Sequence, residues 1–128
     1  MGAFDAAGQA FLFSTSGIEE TAENCSIPGF AAIGTGSGNA MFWLSRREHA
    51  MNMNVRRASY HAYEAKLMAE SAPGVNKHLD CIVAQKGKYW NLSTHRRNEV
   101  KEDCPITFDW LHKQFRKFGV RNTDALGK

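Results

Sequence analysis

The sequence predicts an α+β protein in which two consecutive helices lie on one face of a largely antiparallel sheet. Three observations predict it. Residues 9–15, 30–33 and 79–84 are apolar runs of strand length. Two helical patterns follow one another between residues 39 and 69 with no strand between them. Lys86-Gly87-Lys88 separates the last of these runs from a further one, residues 89–94, as a tight hairpin turn would. The 128 residues amount to one domain by size, and an apolar content of 43 % excludes wholesale disorder.

Residues 1–17 read as a hairpin region. Asp5-Ala-Ala-Gly8 is the turn, and Gln9 to Thr15 is a strand with Phe11 and Phe13 at alternate positions. Ala10 and Leu12 point the other way and are also apolar, so this strand needs cover on both faces. Ser16-Gly17 turns the chain, Ile18 to Glu23 is a short exposed strand or a loop, and Pro28-Gly29 closes the stretch. Phe30 to Ile33 then forms a short apolar strand that breaks at Gly34. Gly34, Gly36 and Gly38 make a three-glycine turn with backbone freedom that a Cβ would remove, and Gly36 is expected at positive φ.

The first helix is predicted from Asn39 to about Ala50. Ala40, Met41, Leu44 and Met51 share a face, while Arg46, Arg47 and Glu48 face solvent. Phe42 and Trp43 widen its apolar side, which predicts deep burial or contact with another subunit. Asn54 is the expected N-cap of a second helix, Val55 to about Ala69. Ala58, Ala62, Ala65 and Ala69 give it a stripe of small residues suited to close approach. Ser71-Ala-Pro-Gly74 ends it. Leu79 to Ala84 and Tyr89 to Thr94 are the strands of the second hairpin, and His95 to Asp103 is a charged loop. A last helix begins near Thr107, with Phe108, Leu111, Phe115 and Phe118 on one face. Residues 1–94 thus form one unit, and residues 95–128 a loop with a basic amphipathic helix. One layer is missing: strands apolar on both sides need a second cover, from another chain or another copy.

The formal charge of +3 is small and scattered, which speaks against a nucleic-acid partner. No stretch has the length of a membrane span, and the N-terminus lacks a basic region followed by a long apolar run. Cys25, Cys81 and Cys104 match no zinc spacing and read as reduced thiols, so a soluble cytoplasmic protein is expected. Neither a metal nor a cofactor is expected. Gly34-x-Gly36-x-Gly38 looks like a dinucleotide fingerprint, but two helices follow it where a strand with an acidic residue should. His49, His61, His78, His95 and His112 hold no metal-ligand spacing. Ser59 and His61 are too close along a helix to act as nucleophile and base. The chain as given begins with Met, so no N-terminal threonine, serine or cysteine is expected to serve as nucleophile. Ser14, Thr15 and Ser16 lie in or just after a predicted strand.

Gly2-Ala-Phe-Asp-Ala-Ala-Gly-Gln-Ala-Phe-Leu-Phe13, followed by Phe30-Ala-Ala-Ile-Gly-Thr-Gly-Ser-Gly-Asn-Ala40, resembles the second half of a proteasome β-type subunit. It is similar also to the bacterial two-ring threonine protease of that family. There, a G-x-D-x-x-G hairpin leads to an A-I-G-S-G turn, two consecutive helices and a strand. Pro73-Gly-Val-Asn-Lys-His-Leu-Asp-Cys-Ile-Val83 corresponds to that strand, and the likeness covers about residues 2–92. The resemblance implies half of the αββα sandwich of N-terminal-nucleophile hydrolases. It places the family's turn serine on Thr35, with Gly36 in register, as supporting positions of the catalytic site. The family's nucleophilic threonine, its lysine and their acidic partner precede the matched region and have no counterpart here. A further acidic residue, after the second helix, falls near Ser71 or Ala72 and has no match. The tail from His95 to Lys128 is longer and more basic than the family pattern.

The expectation is therefore a portion of a threonine-type peptidase, inactive alone, that acts on peptides only in a completed site. It would be completed by a partner subunit or by homo-oligomerisation. The alternatives are a non-catalytic assembly module of the same fold and a small-ligand binding protein that uses the glycine turn.

Overall fold

A computed structural model describes residues 2–15, 22–26, 29–48, 53–93 and 103–118. In chain order these hold β1 (Gly2–Phe4), β2 (Ala10–Thr15), β3 (Ala22–Asn24), α1 (Ser37–Arg46), α2 (Val55–Ala69), β4 (Asp80–Gln85), β5 (Lys88–Ser93) and α3 (Phe108–Phe118). The class is α+β, and every strand pair is antiparallel. Instead of one sheet there are two small ones among the described residues, β1-β2-β3 and β4-β5.

The first hairpin is built at Asp5. Its carboxylate accepts the Gln9 N–H at 2.9 Å and its carbonyl accepts the Gly8 N–H at 3.0 Å, which sets Phe4 opposite Ala10. Phe11 and Phe13 stack along β2 with ring centroids 6.4 Å apart. β2 is half-buried from Ala10 to Phe13, whereas β1 and β3 are exposed throughout. Of the predicted strand or loop at Ile18 to Glu23, only the end falls within β3; residues 18–21 lie outside the described residues.

The segment Phe30–Ile33, expected as a strand, joins no ladder among the described residues. Its apolar character is used differently. Phe30 is buried with Trp43 and Leu44 of α1 and Ala65 of α2, while Ile33 is 87 % exposed. The Phe30 side chain thus belongs to the core between α1 and α2.

α1 starts two residues earlier than expected and ends at Arg46. Asn54 caps α2 as predicted, accepting the Arg57 N–H at 2.9 Å. At the other end Ser71 Oγ donates to the Met68 carbonyl at 2.8 Å, and the Asn39 side chain donates to Ser71 Oγ at 3.1 Å, joining the start of α1 to the end of α2.

α2 is the central element. One side packs on α1. Through Tyr60 the helix also meets Val83 of β4, Leu92 of β5, Ile106 just before α3, and Phe108 and Leu111 at the start of α3. The β4–β5 register places Cys81 opposite Leu92 and Val83 opposite Trp90 on the covered face. Ile82 and Tyr89 lie on the opposite face, 67 % and 75 % exposed. The helices that share a core with this hairpin are thus α2 and α3, whereas the sequence laid α1 and α2 on the sheet; α1 and α2 do pack on each other. The reason lies in α3: Thr107 Oγ1 accepts the Trp110 N–H at 3.1 Å, and the helix buries Leu111 to 1 % exposure. The side chain of Phe118 lies outside the described residues.

Candidate functional site

The glycine turn passes from Ile33 into α1. Gly34 takes φ +90°, with open space where a Cβ would stand. Gly36, expected at positive φ, instead has φ −106°. Its need for glycine is a close approach: a Cβ there would stand 2.9 Å from Ala69 Cβ and 3.0 Å from the Ala69 carbonyl oxygen. The small-residue stripe of α2 therefore does meet a neighbour closely, and at Ala69 that neighbour is backbone.

Thr35 is exposed at this turn. Beside it opens a cavity of about 370 Å³, walled by Ile33, Gly36 and Ser37 on one side and by Ala62, Ala65, Lys66 and Ala69 of α2 on the other. The Lys66 ammonium is turned to the far end of α2, where it donates to the Asn76 carbonyl at 2.7 Å and to Glu70 at 3.1 Å. Thr35 and Gly36 are thus brought together at one mouth. No group of His, Cys, Asp and Glu suited to a metal ion occurs among the described residues.

The most elaborate polar arrangement was not legible as a site. Glu64 of α2 is fully buried. The Trp43 indole N–H and the Arg47 Nε–H, the latter at 2.6 Å, both donate to Oε1, and the Tyr60 hydroxyl donates to Oε2 at 2.5 Å. The Arg47 guanidinium also lies over the Trp43 ring, 5.5 Å from its centroid. Arg47, expected at the solvent face, has a side chain only 9 % exposed. Trp43 and Arg47 lie one helical turn apart, as do Tyr60 and Glu64, so both pairs project from adjoining faces of α1 and α2. Those spacings were the available signal. Phe42, grouped with Trp43 in the sequence reading, is 63 % exposed.

This carboxylate is closed to solvent and takes donors from both helices, so it is a clamp between α1 and α2. Burial first, then its hydrogen bond to Glu64 and that carboxylate's charge, push the Tyr60 hydroxyl well above its ordinary 10.0. In the alkaline range the unfolded chain loses this proton before the folded chain does, so stability falls as pH rises past about 10. Tyr60→Phe is expected to flatten that loss in denaturant midpoints measured across the alkaline range. A small fall remains from Cys81, whose thiol is raised by burial and by Cys104.

No family model, curated protein or solved structure matches this chain.

Proposed function

We propose that this chain is a catalytically incomplete portion of a proteasome-like threonine-type peptidase domain, whose open apolar faces receive the rest of the sandwich from a partner subunit or a second copy. The observation that carries this reading is the hairpin β4–β5: one face is buried on α2 and α3, and the other leaves Ile82 and Tyr89 in water. Ile33 at the glycine turn and Phe42 of α1 are exposed as well. The order of hairpin, glycine turn, two helices and a strand, β4, is the order of the family pattern that the sequence resembles.

In the completed domain an N-terminal threonine, with its own α-amine as base, attacks the peptide carbonyl. Thr35, exposed at its turn, supplies a hydroxyl that helps to orient that nucleophile, and Gly36 keeps the turn against α2. No cofactor is required, and neither nucleic acid nor a membrane has a role. No helix among the described residues is long and apolar enough to cross a membrane. The cytoplasmic setting belongs to the same proposal.

The chain alone is expected to bind a hydrophobic dye or to associate at micromolar concentration in light scattering, and to release no product from fluorogenic peptide amides. A dye-negative monomer would remove the missing layer. Turnover by the isolated chain that disappears in Thr35→Ala would overturn the supporting role of Thr35. A decisive arm uses the native assembly: a threonine-directed epoxyketone should label a subunit or segment that purifies with this chain. Phe42, exposed on α1, favours a second reading, a non-catalytic assembly module. In that case the native assembly forms but takes up no label.

A further inference from the structure

Two of the three thiols converge on one core. Cys81 occupies the covered face of β4, opposite Leu92 and two residues before the buried Val83. Cys104 stands two residues before Ile106, itself 2 % exposed, in the segment that leads into α3. Both pack against the cluster of Tyr60, Val83, Leu92, Ile106, Phe108 and Leu111. Cys25 belongs elsewhere: its N–H donates to the Leu12 carbonyl on β2 at 2.7 Å. Cys104 lies outside helix and ladder, so its sulfur can shift towards Cys81 without breaking a helical or strand hydrogen bond.

We infer that Cys81 and Cys104 are a redox-sensitive pair, which closes to an intramolecular disulfide when the chain meets a small-molecule disulfide such as oxidised glutathione. The inference is independent of the peptidase reading, since neither thiol lines the cavity at the glycine turn. The Cys104 thiolate attacks one sulfur of the oxidant, whose S–S bond breaks and expels one glutathione thiolate. The Cys81 thiolate then attacks Cys104 Sγ in the mixed disulfide and expels the second. Two protein thiols are oxidised, one small disulfide is reduced, and the two protons lost by the protein end on the two glutathione thiols. Burial, with a further contribution from Cys104, raises the Cys81 thiol, so the closing step is slow near neutral pH and quickens as pH rises. The bond ties the lead-in of α3 to β4, across the core that holds α3 in place.

The test incubates the full chain with oxidised glutathione, blocks remaining thiols by alkylation, and maps the peptides without reduction. The expected product has lost two hydrogens, joins Cys81 to Cys104, carries an alkylated Cys25, and unfolds several degrees higher than the reduced chain. Dithiothreitol should return the original midpoint. Cys25→Ser should leave the product unchanged. Cys104→Ala should abolish it while keeping the far-ultraviolet circular dichroism of the parent. The mapping of the unmutated chain decides the matter even if a variant fails to fold. A stable glutathione adduct on Cys104, unreacted thiols at alkaline pH, or a bond that includes Cys25 would each overturn the inference.

Discussion

Glu64→Ala is expected to lower unfolding free energy by about 3–5 kcal/mol, read as a fall in urea midpoint at constant slope. The carboxylate is fully buried and takes three donors, one of them the Arg47 guanidinium, whose side chain is only 9 % exposed. Removing it takes the buried carboxylate away from a cation, an indole N–H and a phenol in a closed space. Glu64→Gln keeps the shape but not the charge, and should fall between the parent and the alanine variant. Arg47→Met combined with Glu64→Leu should recover only part of the loss, because the buried ion pair is replaced by apolar side chains while the Trp43 and Tyr60 donors still lose their acceptor. A cost within about 0.5 kcal/mol for Glu64→Ala, the scale of an exposed site, would rule out the clamp.

Gly36→Val is expected to cost about 1–3 kcal/mol by overpacking. The added carbons would press on Ala69 and on Val75, whose Cγ2 lies 3.2 Å from the ideal Cβ position. The mechanism is separable from backbone strain. In Gly36→Ala, the further change Ala69→Gly should return part of the loss, since it removes the carbon 2.9 Å away. Gly34→Ala should respond differently. Its space is open but its φ is +90°, so a cost of about 1–2 kcal/mol arises from conformation and no change at Ala69 should recover it. Thermal midpoints of these variants distinguish the two, and full additivity of Gly36→Ala with Ala69→Gly would contradict the contact.

Much of the local structure was legible in the sequence because its causes are local. Asn54 capped α2, Lys86-Gly87 joined β4 to β5, and the turn at Asp5 set the first hairpin; each depends on side-chain and backbone groups only a few residues apart. The reason for Gly36 was not legible. Its φ is compatible with any residue, and the constraint comes from Ala69, thirty-three positions away.

The sequence by itself determined the α+β class, the two hairpins and the two successive helices, since periodicity and turn chemistry act over one or two turns of chain. Tertiary structure alone decided that the Phe30 side chain serves the helix core, that α3 shares the hairpin's core, and that Arg47 leaves solvent for Glu64. On a helix, solvent-facing and inward-facing arginines have the same local pattern. What separates them is a buried carboxylate on another element, and a charge can stay in a low-dielectric interior only where such a partner has been brought to it.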